Sequence, residues 1–207
     1  MIMDRGRATG VEATVRGQQR VRVHGRRGVV VSAGSLNTPA ILLRTPALRR
    51  NQQIGRHLHL HPVAFVHGFY DKPVRPWQGA ALTTVSNAAE LVDPQGWGAK
   101  IEVMASAPAL YCALLPYHDH VENKSLAFRY PYSYTAIVIV RDRDGGRVKL
   151  DQGGRALVDY SLSAFDHTSL LEGVKRAIEI HMHAGASMIA TSQTGVPVYT
   201  CPPRQEN

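Results

Sequence analysis

The sequence predicts an α+β fold, on three observations. Strand-length segments, several alternating apolar with polar residues, occupy much of residues 1–31 and 63–160, broken by Gly- and Pro-bearing connections. A short apolar run, Val29-Val30-Val31, leads through small residues into a helical stretch ending near Arg44. Residues 166–184 carry an apolar stripe at the helical period.

The elements follow in order. Arg7-Ala8-Thr9-Gly10-Val11 starts a strand that runs through Val15 and is turned by Arg16-Gly17. Val21 and Val23 alternate with Arg20 and Arg22, as in a half-buried strand, and His24-Gly25 turns the chain again. Val29–Val31 reads as a strand buried on both faces. Thr38 suits an N-cap and Pro39 the first helical position. Residues 51–62 form a loop. Strands are expected at 63–69, 81–85, 99–104 and 136–141, and a hairpin joins 147–151 to 156–160 across Gln152-Gly153-Gly154. In the last helix Leu170, Leu171, Val174, Ala177, Ile178 and His181 share the apolar side. Asp166 caps its start, Gly185 ends it, and Glu172 pairs with Arg176.

The 207 residues carry 24 basic and 16 acidic side chains, with 44% hydrophobic and 19% charged residues. That balance excludes disorder as the main state. No apolar run approaches the roughly 18 residues of a membrane span, and Met1 leads into Asp4, Arg5 and Arg7 with no apolar leader core. Cys112 and Cys201 make neither a disulfide framework nor a cysteine zinc site. The chain therefore reads as intracellular, with two reduced thiols. Residues 1–56 hold eleven Arg against Asp4 and Glu12, whereas residues 57–207 are close to neutral. The arginines are scattered, with no aromatic residue among them to stack on a base, so no nucleic-acid partner is expected.

The candidate site is Ser32-Ala33-Gly34. Strand end, small residues and helix start form the arrangement in which open α/β folds bind nucleotides, and Ala33 and Gly34 let a ligand approach the backbone. The same residues also make a tight strand-to-helix turn. His57, His59 and His61 would share one face of an extended segment, but no carboxylate or thiolate accompanies them, and no metal is expected. His118 and His120 flank Asp119 in a solvated loop, His181 is a core histidine and His183 is solvated. Leu110, Leu114, Leu115 and Phe128 could line an apolar pocket or fill a core.

Val29–Arg44, reading VVVSAGSLNTPAILLR, resembles the second signature of the glucose–methanol–choline (GMC) oxidoreductases. Arg7–Val11 is similar to the hairpin that precedes it, and Ile54–Pro62 to the family's Gly-x-Asn-Leu-x-x-His-Pro stretch. Leu58–Pro62, Gly98–Glu102, Arg141–Val148, Val158–Ser163 and Leu170–Gly173 resemble the branch of long-chain fatty alcohol oxidases. The resemblance implies FAD as cofactor, with Ser32, Ala33 and Gly34 at its edge. It also implies a long-chain alcohol and oxygen as substrates, with aldehyde and hydrogen peroxide as products. The implied domains are a partial FAD-binding domain at 1–62, a partial antiparallel-sheet substrate domain with helices on one face at 63–191, and a tail at 192–207. No Gly-x-Gly-x-x-Gly and no counterpart of the family's catalytic histidine segment is present, so the resemblance implies an internal fragment, inactive alone, with no catalytic residue assigned. Membrane association of the full-length parent is compatible with this reading. The alternatives are a noncatalytic binding module from the same substrate domain and an arginine-rich nucleic-acid binder.

Overall fold

The computed structural model describes residues 1–80, 82–91, 93–193 and 195–203. Ala81, where the strand expected at 81–85 begins, and residues 194 and 204–207 of the expected tail lie outside the described residues. In chain order the elements are β1 (Ile2–Asp4), β2 (Arg7–Val15), β3 (Gln19–His24), α1 (Gly34–Leu43), β4 (Arg56–Leu58), β5 (Val63–Phe69), β6 (Val85–Ala89) and β7 (Ala99–Val103). There follow α2 (Pro108–Leu114), α3 (His120–Phe128), β8 (Ser133–Val140), β9 (Gly146–Leu150), β10 (Ala156–Asp159), α4 (Ala164–His183), β11 (Met188–Thr191) and β12 (Tyr199–Thr200). Helices and antiparallel sheets together make the fold α+β, as the alternation implied.

The chain divides into two compact units, Met1–His59 with Asp144–Ser161, and Leu60–Arg143 with Leu162–Asn207. The division differs from a single cut at residue 62. The β9–β10 hairpin belongs to the first unit because β9 pairs with β4 and the hairpin lies against α1.

In the first unit β1, β2 and β3 form an antiparallel sheet in that order. Arg16 (φ 51) and Gly17 (φ 74) both adopt positive φ between β2 and β3, the backbone that suits the twist of a tight hairpin. Register puts Glu12 opposite Arg22, where Nε meets Oε2 at 2.7 Å, and Val11 opposite Val23 on the other face. A second antiparallel sheet has the order β10-β9-β4. Val29–Val31 is not a strand: no described strand pairs with it, and Val30 is 91% exposed. Three β-branched apolar residues favour extended backbone, but burial on two faces needs neighbours on two sides.

The second unit is built on a six-stranded antiparallel sheet, β12-β11-β5-β8-β7-β6. β5 has the bounds the sequence predicted, and β8 opposes it along its whole length, from Val63↔Ile139 to Phe69↔Ser133. α4 covers one face, where Val174 and Ala177 pack with Val66, Ala99, Ile101 and Val138. Gly173 lets the helix sit low, because a Cβ there would come 2.7 Å from that of Ala99. Along β5, Val66 and Gly68 face α4 while His67 and Phe69 point the other way. There Tyr111 of α2 and Leu126 of α3 pack on Phe69, two helices that the alternation did not announce. Ser163, not Asp166, is the N-cap of α4: its Oγ accepts from the Asp166 N–H at 3.1 Å. At the other end the Ala186 N–H donates to His181 O and the Gly185 N–H to Met182 O, with Gly185 at φ 88, a Schellman ending. Part of the expected tail is structured, since Tyr199 and Thr200 pair with Ile189 and Met188.

Candidate functional site

Ser32, Ala33 and Gly34 form an exposed turn at the start of α1. Ala33 occupies the N-cap position and has no side chain to cap with; its own N–H donates to Thr38 Oγ1 at 3.0 Å. Gly34 enters the helix at φ 82, and a Cβ on it would meet nothing within 4 Å. Glycine is required there by the backbone, and the space in front of it is open. No side chain caps the helix, so its first peptide N–H groups and the positive end of its dipole present themselves to a ligand. The expectation of a Thr38 cap with Pro39 at the first position is corrected. The positive φ of Gly34 lets the helix begin four residues before Thr38, and Pro39 lies inside it. Thr38 acts on the turn from within, by holding the Ala33 N–H.

α1 buries Ala40 and lies against β9 and β10. Beside it is a cavity of about 250 Å³ lined by Ser35, Pro39, Arg56, His57 and His59 among others. Gly55, at φ 80, runs hard against β9, where the Val148 N–H donates to Gly55 O at 2.7 Å. The residues fit an FAD edge in two respects: the peptide backbone of Ser32–Gly34 is exposed, and among the described residues nothing lies within 4 Å of where a Gly34 Cβ would be.

The remaining expectations fare differently. His57 (φ 61) and His61 (φ 49) adopt left-handed backbone, which breaks the alternation that would have put three imidazoles on one face. His57 Nε2 lies 3.3 Å from Gln53 Oε1. Among the described residues no three His, Cys, Asp or Glu side chains are grouped to hold a metal. Asp119 is not in a loop between histidines but is the N-cap of α3. It accepts from the Val121 and Glu122 N–H groups at 2.8 and 2.9 Å, and these hydrogen bonds hold its carboxyl below the usual range. His118 Nδ1 meets Glu122 Oε2 at 2.5 Å. Leu110 and Phe128 are 46% and 73% exposed whereas Leu115 is buried, so those leucines and Phe128 do not close into one pocket.

Two histidines are buried, one expected and one not. His181 Nε2 donates to Val66 O at 3.2 Å and Nδ1 accepts from the Tyr70 hydroxyl at 2.8 Å. His67 Nε2 donates to Leu114 O at 3.1 Å and Nδ1 accepts from the Thr135 hydroxyl at 2.9 Å. A carbonyl only accepts, so Nε2 carries the proton in both neutral rings. Burial pushes each down to about 4. His67 carried no signal in the sequence beyond being polar in an apolar strand. Both act as satisfied core groups. Cys112 and Cys201 are free thiols, and no helix among the described residues is long and apolar enough to cross a membrane.

Comparison with known proteins adds the family. The N-terminal family model of the GMC oxidoreductases matches residues 1–63. Two long-chain-alcohol oxidases of Arabidopsis thaliana are similar: one is 31% identical over 188 residues, 86% of this chain and 24% of the relative, and another is 29% identical over 192 residues, 90% and 24%. An uncharacterized GMC-type oxidoreductase of Sinorhizobium fredii is 30% identical over 207 residues, 97% of this chain and 38% of the relative. The chain spans about a quarter of the length of the plant relatives. The family match over residues 1–63 and the GMC-type relative aligned along the rest agree, and the chain is similar to GMC oxidoreductases over most of its length.

Proposed function

We propose that this chain supplies part of the framework of an FAD-dependent oxidase that turns long-chain alcohols and oxygen into aldehydes and hydrogen peroxide. The observation that carries the reading is the similarity to long-chain-alcohol oxidases along most of the chain. The open turn at Ser32–Gly34, inside the stretch that matches the family, supports it. In this reaction the carbinol carbon and its hydroxyl give up two electrons and two protons, and oxygen takes them to become peroxide. Bound flavin supplies the two-electron redox chemistry. The chain's own part is positional. Thr38 fixes the Ala33 peptide, Gly34 keeps the approach clear, and the exposed N–H groups at the start of α1 offer an anionic or electron-rich edge its partners. No residue of this chain is assigned as the base.

The test is a graft. Residues 29–44 replace the matching stretch of an Arabidopsis long-chain-alcohol oxidase, and flavin content and peroxide release from a long-chain alcohol are measured. Retained flavin and turnover in the graft, with no peroxide from the 207-residue chain alone, is the expected pair. A folded graft without flavin would overturn the assignment of this turn.

A further inference from the structure

We propose that the cleft between the C-terminal end of α1 and the β4–β9 pair binds a dianionic phosphate carried on a small apolar body. The cleft holds about 380 Å³, within the range of small-molecule sites. Leu43 and Ile54 give it apolar walls; Arg49, Arg56, Arg147 and Lys149 also line it, and among the described residues no acidic side chain does. The site lies at the opposite end of α1 from Ser32–Gly34, about 14 Å along the helix, and does not rest on the flavin reading.

The arrangement of the cations points to a ligand. Arg56 and Arg147 stand directly opposite each other across β4 and β9. Like charges so placed destabilise a strand pair. The backbone enforces the opposition, because Gly55 is hydrogen-bonded to Val148 and has no room for a Cβ, which would lie 3.2 Å from the Val148 carbonyl carbon. On its other side Arg147 faces Asp159 of β10, but that carboxylate is already bound to Lys149 Nζ. Among the described residues that line the cleft and this one partner, four cations stand against one carboxylate. Arg49, which also lines the cleft, is held by the hydrogen bond of its Nε to Leu43 O, 3.0 Å, a bond that does not use its two terminal nitrogens.

Guanidinium forks match phosphate oxygens two at a time. Two arginines facing each other across a strand pair, with a third at the rim, call for a dianion where a carboxylate brings one charge. The apolar walls favour a phosphate monoester over inorganic phosphate.

Calorimetric titration of the full chain with phenyl phosphate, inorganic phosphate and benzyl alcohol tests the proposal. Phenyl phosphate is expected to bind, about tenfold or more tighter than inorganic phosphate, and benzyl alcohol not at all. Arg56→Gln and Arg147→Gln are each expected to weaken phenyl phosphate by about tenfold or more. Without ligand, both are expected to raise the unfolding midpoint, since each removes a like-charge opposition. Arg147→Lys, which keeps the charge and loses the fork, gives an intermediate affinity. Arg20→Gln, on the β2–β3 hairpin, leaves binding unchanged. Equal binding of the two phosphates, an equal loss in Arg20→Gln, full affinity in Arg147→Gln, or displacement by FAD would each overturn a separate phosphate-monoester site.

Discussion

The His181 ring lies directly over Gly68: a Cβ on Gly68 would stand 2.7 Å from His181 Cγ. The ring cannot step aside, because it is hydrogen-bonded at both nitrogens, to Val66 O and the Tyr70 hydroxyl. One hydrogen in place of a side chain on β5 is what lets α4 bring a polar ring onto the sheet. Gly68→Ala is therefore expected to cost about 3 kcal/mol, from overpacking together with loss of a buried hydrogen bond. Gly28→Ala, where a Cβ meets nothing within 4 Å, should be neutral. Urea denaturation of both variants checks this, and equal midpoints would show that the ring moves freely.

His67 and His181 make the fold sensitive to acid. Each is pushed by burial from 6.5 to about 4, the Leu114 and Val66 carbonyls only partly offsetting the effect. The unfolded chain thus binds protons between those values that the folded chain refuses. Their contribution is complete above pH 6.5 and is lost as the pH falls toward 4. The loss is on the order of 3 kcal/mol for each ring. Urea midpoints measured from neutral pH down to about 4.5 should fall steeply below 6.5; a flat profile would mean that neither ring is held neutral by burial.

Asp166 is the second buried polar anchor of α4. Its Oδ1 accepts from the Arg143 N–H at 2.8 Å and its Oδ2 from the Ser163 hydroxyl at 2.9 Å. It thereby joins the cap of the helix to the end of β8's loop. Asp166→Ala should cost about 2 kcal/mol. Glu179→Ala, which removes only an exposed pair with Arg176 at 3.0 Å, should stay within about 0.5 kcal/mol. Thermal unfolding of the two variants side by side decides it, with comparable shifts counting against the anchoring role.

What was legible from the residues follows from how local the cause was. β5, the β9–β10 hairpin and α4 announce themselves because alternation, a Gly-Gly turn and a helical stripe are local signals. The interior of α4 was legible and its cap was off by one turn, since Ser163 and Asp166 both have capping side chains and only their mutual hydrogen bonds show which is outside. α2 and α3 are short and bury little more than Tyr111 and Leu126, too little to imprint a period. The histidine stretch misled because two residues, His57 and His61, take positive φ, a departure that their residue type does not reveal. At Ser32–Gly34 the turn was legible and its geometry was not: Gly34 reads as a residue chosen for close approach, while its φ of 82 supplies an equally direct reason.

That double reason sets the last prediction. Gly34→Val in the grafted oxidase would lose flavin whether the turn contacts it or not, because a β-branched residue is strained at positive φ and L-residues there cost about 1–2 kcal/mol. Asparagine separates the two causes, since it tolerates left-handed backbone better than other non-glycine residues, and among the described residues a Cβ at Gly34 meets nothing within 4 Å. Gly34→Asn should therefore leave the unfolding midpoint within about 1 kcal/mol of the parent. Its side chain would project into the approach that a flavin edge needs, so flavin content and peroxide release should fall together. Thr38→Val, which deprives the Ala33 N–H of its acceptor at 3.0 Å, should loosen the same peptide and weaken flavin retention less than Gly34→Asn does. Full flavin in a stably folded Gly34→Asn graft would remove Ser32–Gly34 from the cofactor's surroundings and leave Gly34 as a helix-starting residue only.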